Sequence, residues 1–80
     1  MKRTPRSELR DVLARNLRLF RAEVGWSQER LAHEAGLNRT YLSAVERSEQ
    51  NISVDNIARL AAAMRVDAWT LLRDKDAEAG

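Results

Sequence analysis

The sequence predicts an all-α protein, a compact bundle of five helices in a single domain. Only three of the 80 residues are glycine and one is proline, a composition that favours helix. Apolar residues recur at spacings of three and four, as on a helix with one buried face. A Ser, Asn or Asp residue precedes each apolar run and can cap the helix that it opens. Eighty residues suffice for one modest hydrophobic core.

The first helix is predicted from Ser7 to about Glu23. Ser7 is a candidate N-cap, and Gly25 ends the helix because glycine tolerates the left-handed conformation. Residues 1–6 are predicted to be a basic, flexible start. The apolar stripe of this helix consists of Leu9, Val12, Leu13, Leu17, Phe20 and Val24.

Two short helices follow. The second is predicted from Gln28 to Ala35 with Ser27 as its cap, and the third from Arg39 to about Arg47 with Asn38 as its cap. Gly36 provides a tight turn between them. Such a pair packs at a steep angle, so that its second helix projects as a rigid rod. The predicted apolar anchors are Leu31, Ala32, Leu42 and Val45.

The fourth and fifth helices complete the predicted domain, which spans residues 7–73. Ser53 opens the fourth helix and Asp67 opens the short fifth one, while residues 74–80 are predicted to fray. The inward residues of the fourth helix are predicted to be Val54, Ile57, Leu60, Ala61 and Met64. In the fifth helix Ala68 and Leu71 are predicted to face inward, which leaves Trp69 and Leu72 exposed.

Charge is unevenly distributed along the chain. Residues 1–23 carry seven basic and three acidic side chains, whereas the remainder carries seven basic and nine acidic ones. Twelve of the 14 cations are arginine, whose planar guanidinium suits phosphate and guanine. An anionic partner is compatible with this distribution, although an arginine-rich genome would produce the same count.

Several function classes are disfavoured. The chain has no cysteine, and its one histidine, His33, has no second ligand beside it, so neither a metal nor a cofactor is expected. No nucleophile–base pair or glycine-rich phosphate loop suggests an enzyme or a small-molecule ligand. No apolar run reaches membrane-spanning length, which favours a cytoplasmic protein. The basic amphipathic segment LRDVLARNLRLFRA could lie on a membrane surface, but its apolar stripe is needed for the core.

Three segments carry a family resemblance: SQERLA (27–32), AGLNRTYLSAVER (35–47) and NIS (51–53). They resemble the helix-turn-helix of the Cro/C1-type (XRE-like) regulators, and the similarity extends over about residues 12–72. Within that family the chain is similar to restriction–modification controller proteins and phage repressors. The resemblance implies a lambda-repressor-like fold and sequence-specific binding in the major groove of double-stranded DNA. A DNA-binding antitoxin or a protein-interaction adaptor on the same fold remains an alternative.

The resemblance also implies roles for individual residues. The predicted base-contacting residues are Arg39, Thr40, Ser43, Ala44 and Arg47, and Arg47 could instead reach a phosphate. The predicted contacts to the DNA backbone are Ser27, Gln28, Asn38, Tyr41 and Asn51, although Tyr41 could simply cover the hairpin. Arg21 and Glu46 match two family positions whose side chains form an ion pair between the first and third helices.

The chain departs from the family pattern in its loops. Ser48 and Arg65 stand where glycine is common, and Ile52 stands where proline is common, which leaves the loop conformations open.

One recognition helix reads only a few base pairs, so the working unit is predicted to be a homodimer on a pseudo-palindromic operator. Small regulators of this family commonly control their own genes. The predicted dimer interface consists of Met64, Val66, Trp69 and Leu72. As an alternative to this role, Trp69 could cover the core of its own subunit.

Overall fold

The computed structural model describes residues 6–74, with side chains from Glu8 onward. Over this range it contains no strand but four α-helices and one short 3₁₀ helix. Of the predicted mobile ends, residues 1–5 and 75–80 lie outside the described residues. The helices are α1 (Arg6–Val24), α2 (Gln28–Ala35), α3 (Arg39–Glu46), α4 (Val54–Met64) and the 3₁₀ helix (Ala68–Leu72).

Side-chain caps set where α2, α3 and α4 begin. Ser27, Asn38 and Ser53 each accept a backbone N–H from the first turn of the helix that follows, at 3.0, 2.7 and 3.0 Å. These three predicted caps are confirmed. The Ser7 cap is wrong, because α1 already begins at Arg6 and Ser7 therefore lies within its first turn.

All four α-helices end in the same left-handed turn. Gly25, Gly36, Ser48 and Arg65 have φ values of 74°, 70°, 63° and 57°. The residue after each of them donates its N–H to a carbonyl five positions earlier, at 2.8–3.0 Å, which is the Schellman arrangement. Ser48 and Arg65 thus keep the backbone that glycine favours, at a steric cost of roughly 1–2 kcal/mol per residue.

The core lies between α1, which packs against α3 and the 3₁₀ helix, and α4, which packs against α2 and the same 3₁₀ helix. Its largest fully buried side chains are Leu17, Leu31, Leu42 and Leu60, all predicted to face inward. Val54 is 80% exposed, so its predicted inward position is wrong. Helical side chains lean toward the N-terminus, and the first residue of α4 therefore points past the end of the helix. Leu9 and Val24, at the two ends of the α1 stripe, are also exposed.

The predicted fifth α-helix is a single 3₁₀ segment instead. The Thr70 N–H bonds to the Asp67 carbonyl three residues earlier, at 3.0 Å. The buried Asn16 amide of α1 donates to the Leu71 carbonyl at 2.8 Å and to the Arg73 carbonyl at 3.1 Å. These tertiary bonds take up carbonyls at the end of the segment and pull it toward α1. Leu71 is buried as predicted, whereas Ala68, predicted to face inward, is exposed.

Candidate nucleic-acid interface

Helix α3 has one buried and one outward face. Leu42 and Val45 anchor it in the core, and Arg39, Thr40, Ser43 and Arg47 recur on the opposite side at helical spacing. Arg39 and Thr40 are exposed, whereas Ser43 and Ala44 are half-buried. Asn38 uses its side-chain oxygen to cap the helix, so this residue fixes the backbone from which Arg39 and Thr40 project.

The C-terminal end of α3 is attached to α1 through Glu46. This carboxylate is 2% exposed, and both its oxygens accept hydrogen bonds from the Arg21 guanidinium at 2.8 Å. Those hydrogen bonds raise the pKa of Arg21 above its ordinary value. Arg18 donates to the backbone carbonyl of Glu46. The structure therefore brings Arg21 and Glu46 into direct contact and adds Arg18, a contact that the sequence pattern did not predict.

Gln28 joins the same cluster. Its side-chain nitrogen donates to Glu46 Oε1 at 2.9 Å, beside the N-terminus of α2 that Ser27 caps. An amide nitrogen carries two hydrogens, so one remains for a group outside the protein. Glu46 thereby orients Gln28 at a helix terminus, where backbone N–H groups favour an anion.

The loop between α3 and α4 is held by polar contacts. The Tyr41 hydroxyl donates to the Asn51 carbonyl at 3.3 Å and accepts from the Asn56 amide at 3.2 Å. Arg10 of α1 donates to the side-chain oxygen of Asn51. Tyr41 is half-buried against the core, so it both covers the hairpin and positions the loop.

Arg47 lies at the C-cap of α3 and is engaged by two neighbours. Its Nε donates to Glu49 Oε1 at 3.0 Å, and its Nη1 donates to Ser43 Oγ at 2.5 Å. Nothing in the sequence pattern had pointed to Glu49. The turn at Ser48 returns the chain over the helix end and so brings this carboxylate beside Arg47.

The four predicted dimer residues occupy different environments. Met64 is 5% exposed and belongs to the core, so its assignment to an interface is wrong: the inward stripe of α4 runs to its last residue. Leu72 is half-buried against the core. Trp69 and Val66 are 58% and 37% exposed. Val66 also lines an open groove of about 250 Å³, together with Leu19 and Phe20.

The described helices include none that is long and apolar enough to cross a membrane.

Helix α3 presents arginine, hydroxyl and methyl groups on its outward face. Such a helix fits the major groove, where those groups can meet base edges and the phosphates that flank the groove.

The chain matches the helix-turn-helix family over residues 17–68. It is 58% identical over 65 residues to a Neisseria meningitidis protein described as a hypothetical transcription factor. That match covers 81% of this chain and 61% of the relative, so the chain spans about three fifths of its length. A crystal structure of the Neisseria hypothetical transcription factor NHTF superposes with a TM-score of 0.84 at 49% identity, covering 99% of this chain and 92% of that one.

Two further similarities concern named regulators. The control protein C.SmaI of Serratia marcescens is 38% identical over 65 residues, which is 81% of this chain and 77% of that protein. A structure of the master regulator for biofilm formation SinR in complex with DNA has a TM-score of 0.72 at 34% identity. It covers 76% of this chain and 98% of that chain.

Proposed function

The chain belongs to the Cro/C1-type helix-turn-helix family, and from that premise we propose that it is a sequence-specific transcriptional regulator that binds double-stranded DNA. The observation that carries the proposal is the outward face of α3, whose arginines and hydroxyls project from a helix fixed at both ends. The SinR structure, solved with DNA, supports the same use of the fold.

The base contacts are assigned to the outward face of α3. Arg39 makes a bidentate contact to guanine, while Thr40 and Ala44 meet thymine methyl groups. Ser43 reads a base edge, and Arg47 contacts a base edge or a neighbouring phosphate.

Backbone contacts surround this face. The second amide hydrogen of Gln28 and the N-terminus of α2 beside Ser27 bind one phosphate. Further contacts to the DNA backbone, at the rim of the same face, are assigned to Asn38, Tyr41 and Asn51. Where Arg47 contacts a phosphate it neutralises that charge and releases counterions, so affinity should fall as salt concentration rises.

Selection from a random duplex library, followed by footprinting of the DNA upstream of the protein's own gene, tests the proposal. We expect one enriched pseudo-palindromic sequence and a protected region that contains it. If the library yields no enriched sequence while the protein remains folded, the proposed function is wrong.

The working unit is proposed to be a two-fold dimer in the cytoplasm, with half-sites about 34 Å apart along the DNA. Val66 and Trp69 are the exposed apolar residues that support this interface, with Leu72 at its border. Val66→Asp together with Trp69→Ala should give a folded monomer by sedimentation, with operator binding largely lost. A double variant that still sediments as a dimer would place the interface elsewhere.

The proposed biological role is regulation of its own gene, in the manner of a restriction–modification controller or a phage repressor. The similarity to the control protein C.SmaI favours the controller type. A reporter fused to the upstream region should respond when the protein is supplied from a second plasmid.

A further inference from the structure

We propose that Glu49 is a specificity-determining residue, an intramolecular anion that competes with DNA phosphates for Arg47. This inference rests on the proposed function, because it concerns the same DNA-binding surface. It goes beyond that function by assigning to an acidic residue the task of weakening contact with DNA that lacks the operator.

The geometry places the acidic group on the donor that DNA would use. Arg47 Nε lies 3.0 Å from Glu49 Oε1, and Nη1 is held by Ser43 Oγ. A carboxylate and a phosphate both accept from the planar fork of a guanidinium, so they compete for the same N–H groups. While Glu49 holds Arg47, this cation is already neutralised.

The backbone conformation keeps Glu49 close to Arg47. Ser48 adopts φ 63°, and the Glu49 N–H donates to the Ala44 carbonyl at 2.9 Å. These two features fix the Glu49 backbone in the turn that follows Arg47, independently of the ion pair. The carboxylate therefore returns to the guanidinium whenever DNA leaves.

The ion pair between Arg47 and Glu49 is exposed, and it is therefore weak enough for a DNA phosphate to displace the carboxylate. Both side chains are more than half exposed, and an ion pair of this kind contributes little to stability. On random DNA a phosphate merely replaces the carboxylate and leaves Glu49 unpaired next to a polyanion. On an operator, the base contacts of α3 dock the helix whether or not Arg47 leaves Glu49. Glu49 should consequently weaken non-specific binding more than specific binding.

The test compares Glu49→Gln with the parent on two probes: a random-sequence 30-base-pair duplex and the sequence that the parent enriches from a random library. We expect Glu49→Gln to bind the random duplex about two- to fivefold more tightly. Its affinity for the enriched sequence should change by less than about twofold. The salt dependence on random DNA should steepen by about one released counterion.

Glu34→Gln is the matched control, because Glu34 also forms an exposed ion pair, with Arg30 at 3.1 Å. It changes the net charge equally but acts away from α3. A second control is the double variant Arg47→Ala/Glu49→Gln, in which the effect of Glu49→Gln should disappear.

The inference is overturned if Glu49→Gln gains no more than Glu34→Gln on random DNA, or if its gain persists without Arg47. Either result would leave the proposed function intact, since the parent still binds its selected sequence. Failure of the parent to bind either duplex would overturn the proposed function and this inference together.

Discussion

The two ends of α3 differ in how they are held. At the N-terminal end Asn38 caps the backbone, and the side chains of Arg39 and Thr40 are exposed. At the C-terminal end Glu46 is buried and bonded to Arg21 and Gln28. The N-terminal end is fixed through its backbone, which leaves the side chains of Arg39 and Thr40 available for the proposed base contacts. The C-terminal end is fixed through the buried side chain of Glu46. The proposed reading by Arg39 and Thr40 and the anchoring by Glu46 are therefore separable by mutation.

The largest expected effect comes from the anchored end. Glu46→Ala leaves the partly buried Arg21 without its carboxylate and should cost about 3–5 kcal/mol of unfolding free energy. Urea denaturation followed by circular dichroism measures it. Glu34→Ala, which removes an exposed ion pair, should cost less than about 1 kcal/mol. Equal denaturation midpoints for Glu46→Ala and the parent would show that the contact between Glu46 and Arg21 does not stabilise the fold.

The reading end should respond in binding rather than in stability. Arg39→Ala should weaken operator binding by about 1–3 kcal/mol and relax preference at one base pair, with unfolding nearly unchanged. Gln28→Ala should instead weaken operator and random DNA alike. Fluorescence anisotropy on both duplexes separates the two. An Arg39→Ala loss of the same size on random DNA would make this arginine a phosphate contact.

Asn38 caps the N-terminal end of α3, directly before the residues proposed to contact bases. Asn38→Ala removes the cap of α3 and should cost about 0.5–2 kcal/mol of stability, whereas Asn38→Ser keeps an oxygen for capping and should cost less. Thermal melting of both variants measures this difference. If Asn38→Ser melts as low as Asn38→Ala, the cap bond is not what holds the N-terminal end.

The smallest effect concerns the turn after the anchored end. Ser48→Gly should raise the unfolding free energy by roughly 0.5–1 kcal/mol, because glycine adopts φ 63° without a Cβ clash although it gains entropy when unfolded. Gly36→Ala, at φ 70°, should lose about 1 kcal/mol. Unfolding titrations with guanidinium chloride can measure both changes. Destabilisation by Ser48→Gly would mean that the serine side chain itself stabilises the turn.

Local signals explain which elements could be predicted. The bounds of α2 follow from Ser27 and Gly36, and the start of α3 follows from Asn38, because capping depends on neighbouring residues alone. The fifth helix was wrongly predicted to be α-helical; its Leu71 carbonyl bonds to the distant Asn16 side chain, a contact that a local sequence pattern does not reveal.

The candidate surface was predictable to a similar extent. The outward residues of α3 follow from the resemblance and from helical spacing. Glu49 was not foreseen, because its contact with Arg47 depends on a turn that the sequence had left open. Periodicity placed Met64 on the inward stripe, where the structure buries it, and this pattern conflicted with its second assignment to the dimer interface.

The Asn16 tether has a consequence for cooperativity. Its amide donates to the Leu71 and Arg73 carbonyls at the end of the 3₁₀ helix, and the bond to Leu71 is buried. Peeling the segment away would leave that amide without partners inside the core, which disfavours partial opening. The middle of α1 and the segment that carries Trp69 therefore belong to one cooperative unit. Subunits joined through that segment would separate as folded monomers, so association and folding would be distinct equilibria.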